Sequence, residues 1–404
     1  MRAFFNPKYV SADLRDRSIE IWKKENKFFW GRDYSAEHID FLNHKAMEVR
    51  EKCNLFFLIG VGGSNGAARA LIEGLYKSEV ENNPRIVYAG NGLSPLQVER
   101  FLQYVEKYEV CLNVIAKNFQ TIEPGSHFRM LREAMVRKYG EVEAAKRIIV
   151  TGSKNSDLEK IAIQKGYTFL EFEAEIGGRF SAFSNVGLFP MAVAGINISE
   201  FLAGRMEIQK EMEQNSHFVH DYVAYRNKAY GEGFQIEVLS AFDLSFREWI
   251  KWWVQLFGES EGKGKKGLYP DGFCFSEDLH SMGQFLQEGS PIVIETFLRV
   301  AQYDNKIEIL PSSVRDGFDY LNGKDFAEIN RAMEKATIEA HDEEGIPNFT
   351  LEMKDFSEKE WGKLLAFFMA AVVISCRILE VNPFNQDGVE KYKRKMWEIL
   401  NKKN

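Results

Sequence analysis

One glutamine and two glutamates lie close together in the stretch EWIKWWVQLFGESEGK, residues 248–263. Helical spacing turns the apolar side chains of this stretch inward, namely Trp249, Trp253, Leu256 and Phe257. Gln255 and Glu259 are four residues apart and are therefore neighbours on the polar stripe. Glu259 and Glu261 are two residues apart and diverge, which excludes the paired-carboxylate site of glycosidases. At most one of these glutamates serves the chemistry, and a solvated helix face is the alternative for both.

A glycine-rich turn occurs in LIGVGGSNGAARALIEGL, directly after an apolar run. Asn65 occupies the place of the last glycine of the dinucleotide fingerprint, and the Gly-Lys-Ser/Thr ending of the P-loop is absent. The turn still presents the backbone N–H groups around Gly63 and the hydroxyl of Ser64 at the start of a helix. It favours a monophosphate or a sugar hydroxyl as ligand, with helix–sheet packing as the alternative reason for the glycines.

Two glycines directly precede an arginine in EAEIGGRFSAFSNVGL. Gly178 allows the backbone to approach a ligand closely, and the fixed guanidinium of Arg179 suits an anion beside it. A surface ion pair is the alternative for this arginine. His280, in SEDLHSMGQFLQEG, and Lys393, in the lysine-rich C-terminal end, show on their own only the pattern of a structural histidine and a helix-surface lysine.

The turn AKNFQTIEP, residues 116–124, follows the apolar run VCLNVI and precedes a helical pattern, which is where α/β proteins usually hold phosphate. Phosphate turns are rich in hydroxyls and glycine. This turn offers one hydroxyl, that of Thr121, together with Lys117 and the amides of Asn118 and Gln120. In isolation, its composition argues against phosphate binding.

The composition indicates a globular chain of two domains, because 404 residues exceed one ordinary core and 45% of them are hydrophobic. The net charge of −7, with 52 basic residues spread among 59 acidic ones, argues against a nucleic-acid partner. Four scattered cysteines and seven histidines without a metal-type pair predict no disulfide framework and no metal site. The N-terminus lacks a signal-peptide core, so we expect a cytoplasmic protein.

Short apolar runs alternate with amphipathic stretches over residues 45 to 195, which predicts a parallel sheet with crossover helices. The predicted strands are LFFLIGV (55–61), IVYAG (86–90), VCLNVIA (110–116), RIIVT (147–151) and TFLEF (168–172). A second α/β unit is predicted from FQIEVLSA (234–241), IVIETFLRV (292–300) and KIEIL (306–310). The apolar run 364–376 is too short to span a bilayer, so it predicts a buried helix and no membrane partner.

Several of these segments, in this order, resemble motifs of the glucose-6-phosphate isomerase family, particularly its compact bacterial members. The segments are GVGGS, IGGRFSAFSNVGL, QLFGESEGK, DLHSMGQ, AHDEEGIPN and NPFNQDGVEKYK. The resemblance implies an α/β fold of two sugar-isomerase (SIS) domains, each a parallel sheet flanked by helices, with a C-terminal helical arm. We therefore expect an N-terminal helical segment at 1–45, SIS domains at 46–205 and 206–380, and a C-terminal helix at 381–404. The resemblance also implies a homodimer with active sites at the interface between the subunits.

The reaction that the resemblance implies is the interconversion of glucose 6-phosphate and fructose 6-phosphate, a step of glycolysis and gluconeogenesis, without a cofactor. By resemblance, His280 and Lys393 open the sugar ring, with His280 reaching the site from the partner subunit. Glu259 matches the base that moves a proton between C2 and C1, and Arg179 matches the cation that stabilises the enediolate. Residues matched to substrate binding are Gly63, Ser64, Lys117, Asn118, Thr121, Gly178, Gln255 and Gln386.

The sequence departs from the family at the phosphate turn, which typically reads S-K-S-G-T-T-T-E-P. Ala116 replaces a serine, and Asn118 stands where Ser or Thr is usual. We expect a repacked phosphate site with a raised Michaelis constant. Two alternatives stay open: a phosphosugar-binding regulator without turnover, and an isomerase of a related sugar phosphate such as mannose 6-phosphate.

Overall fold

The computed structural model describes residues 1–25, 27–77, 83–214 and 218–401. Its strands are β1 (Arg2–Phe5), β2 (Leu55–Ile59), β3 (Arg85–Ala89), β4 (Val110–Ala116), β5 (Ile148–Gly152), β6 (Thr168–Glu171), β7 (Ile236–Ala241), β8 (Tyr269–Cys274), β9 (Val293–Val300) and β10 (Asn348–Met353). Its helices are α1 (Ala12–Lys24), α2 (Ala36–Lys52), α3 (Gly66–Gly74), α4 (Pro95–Lys107), α5 (Ile122–Tyr139), α6 (Glu141–Ala145), α7 (Asp157–Lys165), α8 (Asn185–Val193), α9 (Ile198–Glu213), α10 (Val219–Gly231), α11 (Arg247–Glu261), α12 (Leu279–Glu288), α13 (Phe326–Glu343), α14 (Glu358–Ile378) and α15 (Glu390–Ile399).

The first sheet has five strands in the order β3-β2-β4-β5-β6, and all of its neighbouring strands run parallel. Every residue of β2, β4 and β5 is buried, as expected for strands covered by helices on both faces. The turns after β2 and β4 therefore open at the same edge of the sheet. All five strands predicted for this unit are confirmed.

The second sheet has the order β1-β10-β9-β7-β8, with β1 antiparallel and the others parallel. The first residues of the chain thus join the second sheet, and the Phe5 ring stacks on Phe349 at 4.9 Å between centroids. The prediction of a helical segment at 1–45 was wrong for β1. The alternating sequence RAFF favours a strand, but its partner strand lies more than 340 residues away.

The strand predicted at KIEIL is wrong. This segment lies at the surface, with Ile307 and Leu310 exposed, and forms only a single bridge between Glu308 and Asp325. The alternation of polar and apolar residues in KIEIL favours a strand. The segment cannot pair with β9, the strand that precedes it, because β7 and β10 already pair with both edges of β9. The edge strand β8 was missed, because Pro270 and Gly272 lower strand propensity and are tolerated only at an edge.

Helix α9 runs through the predicted domain boundary at 205/206, and α2 runs through the one at 45/46. Helix α9 packs closely on α14, since a Cβ added to Gly204 would lie 2.1 Å from the carbonyl oxygen of Lys359. The domain division itself stays a prediction.

Helix α14 is long and apolar enough to cross a membrane by length and composition, and 89% of its most apolar window is buried inside the protein. A core helix that packs against α9, α10 and α11 meets the same criteria. The prediction of a buried helix at 364–376 is confirmed.

Candidate active site

The guanidinium of Arg179 lies at the centre of the site. Arg179 belongs to a short 3-10 helix (Gly178–Phe183), and only 2% of the residue is exposed. It donates hydrogen bonds to Oε2 of Glu259 at 3.1 Å, to Oγ of Ser260 at 2.8 Å and to Oε1 of Gln386 at 2.9 Å. Burial lowers the pKa of Arg179, and the Glu259 carboxylate opposes that shift. The group stays charged, since arginine keeps its proton in proteins.

The carboxylate of Glu259 is held at both oxygens. Oε1 accepts a hydrogen bond from Nε2 of Gln255 at 3.0 Å, one helical turn earlier on α11, and Oε2 accepts from Arg179. The side chain is 35% exposed, so it is open to a ligand. Because each oxygen has two lone pairs, a fixed carboxylate with this exposure can still accept a proton from a substrate.

Glu261 points the other way, as the two-residue spacing predicted. It is 1% exposed and accepts from the guanidinium of Arg226 at 2.6 Å. Arg226 also pairs with Glu237 of β7, and all three side chains are buried. Glu261 therefore holds α11 to the core, while Glu259 faces the opening. The inward positions predicted for α11 are confirmed, because all four are fully buried.

The glycine turn after β2 touches the turn that carries Arg179. A Cβ added to Gly63 would lie 2.1 Å from the carbonyl carbon of Gly178, so only glycine fits there. Gly62 has φ +56° and lies against the amide of Gln255. Gly178 itself has room for a Cβ, with the nearest atom at 3.6 Å. The close approach thus depends on Gly63 rather than on the glycine pair before Arg179.

Ser64 ends this turn and is half-buried, at the N-terminal side of α3. The next residue, Asn65, is buried and donates through Nδ2 to the carbonyl of Gly60 at 2.8 Å and to Oδ1 of Asn91 at 2.9 Å. Asn65, which stands in place of the last glycine of the dinucleotide fingerprint, thus stabilises the turn through buried hydrogen bonds.

The turn after β4 presents a second group of polar side chains. Asn118, Gln120 and Thr121 are exposed, and Thr121 precedes α5 without capping it through its side chain. Lys117 donates from Nζ to the carbonyl of Ile176 at 3.0 Å, so this turn contacts the segment that leads to Arg179. Burial lowers the pKa of Lys117, and Glu175 opposes the shift.

Comparison with known proteins identifies the family. The model of the phosphoglucose isomerase family matches residues 36–404. Glucose-6-phosphate isomerases of Staphylococcus saprophyticus and Staphylococcus aureus are 37% and 36% identical to the chain over 92% of its length and 85% of theirs. The chain belongs to the phosphoglucose isomerase family.

Solved structures agree with this family in fold. A hypothetical protein of Thermus thermophilus superimposes with a TM-score of 0.87 at 23% identity, covering 96% of this chain and 94% of that one. A glucose-6-phosphate isomerase of Chlamydia trachomatis gives a TM-score of 0.76 at 18% identity, covering 95% and 78%. The predicted α/β class, with parallel sheets flanked by helices, is confirmed.

The two residues matched to ring opening in the phosphoglucose isomerase family make no hydrogen bond or ion pair with this cluster in the described part of the chain. His280, at the start of α12, is exposed, and its side chain has no hydrogen bond or ion pair within the described part of the chain. Lys393 of α15 pairs with Glu390 at 2.7 Å. Within the described part of one chain, hydrogen bonds thus link Arg179, Glu259, Gln255 and Gln386, and they include neither His280 nor Lys393.

Sequence reasoning missed Ser260 and the carbonyl groups of the turn NPFNQ as partners of Arg179. The guanidinium donates to the carbonyl of Asn385 at 3.1 Å and also to that of Pro383. The one sequence signal that could have pointed to Ser260 is its position directly after Glu259, the expected base. Backbone carbonyls carry no sequence signal. Among the described residues, no three His, Cys, Asp or Glu side chains form a metal-binding group.

Proposed function

We propose that the chain interconverts glucose 6-phosphate and fructose 6-phosphate by ring opening and proton transfer through an enediolate. The observation that carries this proposal is the carboxylate of Glu259, fixed by Gln255 and Arg179 and still open to a ligand. Family membership and relatives named glucose-6-phosphate isomerase support it.

The proton transfer needs a base on one face of the open-chain sugar. A sugar C–H is a very weak acid, so the base must be positioned before the reaction begins. Glu259 takes the proton from C2 and returns it to C1. The enediolate that forms in between carries negative charge, which Arg179 stabilises as a buried cation already in place. Gln255 and Gln386, each bonded to this pair, contact the sugar hydroxyls.

The phosphate binds between the two turns at the carboxyl edge of the first sheet. Ser64 and the backbone around Gly63 contribute from the turn after β2, and Lys117, Asn118 and Thr121 from the turn after β4. Both turns precede helices whose N-terminal N–H groups favour an anion. The contact of Gly63 with Gly178 sets the distance from this phosphate site to Arg179.

Ring opening requires His280 and Lys393, and neither side chain is hydrogen-bonded to Glu259 within the described part of one chain. A homodimer in which His280 of the second copy faces this cluster, and in which α15 brings Lys393 to the sugar, completes the site. This assembly is part of the proposal, as is a cytoplasmic location, which suits four cysteines that are buried and unpaired.

A coupled assay on the purified protein tests the proposal, with glucose 6-phosphate, mannose 6-phosphate and unphosphorylated glucose as substrates. We expect turnover of glucose 6-phosphate and none of free glucose. Faster turnover of mannose 6-phosphate would identify a related isomerase. Absence of turnover on all three would contradict the enzyme assignment and favour a phosphosugar-binding protein.

A further inference from the structure

The turn 382–386, which carries Gln386, is held by hydrogen bonds to its carbonyl groups and by the Phe384 ring, which packs against Phe28 and Phe180. It lies between α14 and a short 3-10 helix at Asp387–Val389. Arg179 donates to the carbonyls of Pro383 and Asn385, as well as to the amide oxygen of Gln386. A third carbonyl, that of Asn382, accepts a hydrogen bond from Nζ of Lys263. Two cations from different parts of the chain thus bind one five-residue turn.

Lys263 reaches this turn from the end of α11, four residues after Glu259. Its backbone N–H contacts the carbonyl of Glu261 at 2.6 Å, and its side chain is partly buried. Burial lowers the pKa of Lys263, the neighbouring charge of Arg179 lowers it further, and Asp387 and Glu259 oppose the shift. Two like charges this close together oppose each other, and the carbonyl oxygens between them offset that repulsion.

We infer that Lys263 is a positioning residue that holds the turn 382–386 against Arg179, so that Gln386 and Glu259 share one guanidinium nitrogen. This inference rests on the proposed function. Nη1 of Arg179 donates both to Gln386 and to Glu259. A turn released at Asn382 draws Gln386 away from that nitrogen, and the pairing of Arg179 with Glu259 changes with it.

Lys266 provides a matched control. It too donates to a backbone carbonyl of this connection, that of Leu379 at 2.9 Å, but at the end of α14 and before the turn. Its replacement by methionine removes the same charge from the same loop. Lys266→Met should leave the hydrogen bonds of Arg179 unchanged, because Lys266 makes no hydrogen bond or ion pair with the turn 382–386 in the described part of the chain.

The experiment compares Lys263→Met, Lys263→Arg and Lys266→Met by hydrogen–deuterium exchange and by steady-state kinetics with glucose 6-phosphate, and a thermal melt of each variant reports its stability. In Lys263→Met we expect faster exchange of the peptide that spans 382–386. We also expect kcat to fall about ten- to hundredfold, as for the loss of one hydrogen bond to a charged group, with a much smaller change in KM. Lys263→Arg, which keeps a charged donor, should restore most of kcat, and Lys266→Met should match the wild type in both measurements.

Three results would overturn the inference: unchanged exchange and kcat in Lys263→Met, equal losses in Lys266→Met, or a lower melting temperature of Lys263→Met without a fall in kcat. The third pattern reports only stability. Failure of the proposed function is distinguishable. In that case the wild type turns over no sugar phosphate, while faster exchange in Lys263→Met still shows that Lys263 holds the turn.

Discussion

Oε2 of Glu259 lies 3.1 Å from Nη1 of Arg179, in a pair with one buried partner and one partner open to solvent. The arginine cannot move, because its other nitrogens are bonded to Ser260 and to the turn 382–386. The glutamate is fixed by Gln255 but stays accessible. A base with access to the substrate and a cation that needs no rearrangement are the two requirements of an enediolate reaction.

The two glutamates at the end of α11 should respond differently to the loss of charge. Glu261→Gln breaks a buried ion pair with Arg226, and we expect the free energy of unfolding to fall by about 3–5 kcal/mol. Glu259→Gln should lower it by less than Glu261→Gln does, because the Glu259 side chain is open to solvent whereas both partners of the Glu261 pair are buried. Denaturant titration of both variants gives the comparison, and equal losses would contradict it.

Gly63 should tolerate no side chain. In Gly63→Ala the new Cβ would meet the backbone of Gly178, so the two turns must separate, and we expect a loss of about 1–3 kcal/mol in stability. Gly178→Ala is the control, since its Cβ has ordinary contacts and should leave the melting temperature unchanged. If Gly63→Ala melts at the wild-type temperature, the close approach of the two turns is wrong.

The turn 116–124, the proposed phosphate site, should bind the substrate phosphate more tightly once a hydroxyl is restored. Ala116→Ser places a serine where the family usually has one, and a hydrogen bond to a charged group contributes about 1.5–3 kcal/mol. We therefore expect the KM for glucose 6-phosphate to fall about tenfold or more. Asn118→Ala should raise KM, because its exposed amide is one of the remaining donors. A KM unchanged by Ala116→Ser would show that the missing hydroxyl causes no deficit.

The lowered pKa of Lys117 should make substrate binding depend on pH. Its pKa is lowered by burial, so it loses its proton at a lower pH than an ordinary lysine. In the proposed phosphate site the charged form of Lys117 binds phosphate, and KM should therefore rise as the pH increases through this pKa. Lys117→Arg keeps its charge throughout and should flatten the alkaline rise. An identical rise in the variant would assign the dependence to another group.

The sequence predicted those features of the fold and the site that depend on residues close together in the chain. The buried runs of the first sheet and the Gln255–Glu259 contact follow from periods of the strand and the helix. The edge strand β8 was missed because Pro270 lowers the strand propensity of its sequence. The strand predicted at KIEIL was wrong because a strand also needs a sheet position beside a neighbouring strand that is not yet paired. No local pattern connects Arg179 to Gln386, 207 residues away. That link could be anticipated only from the resemblance to a family.

Proton exchange with solvent tests the central claim, the role of Glu259 as the base, most directly. Wild-type protein and Glu259→Gln are incubated with glucose 6-phosphate in D2O, and NMR follows deuterium at C2 together with the formation of fructose 6-phosphate. Glu248→Gln, on the same helix and paired with Arg69, is the control. We expect both the exchange and the isomerisation to fall about 10²- to 10⁴-fold in Glu259→Gln and to stay unchanged in Glu248→Gln. Exchange and turnover at the wild-type rate in Glu259→Gln would contradict the account.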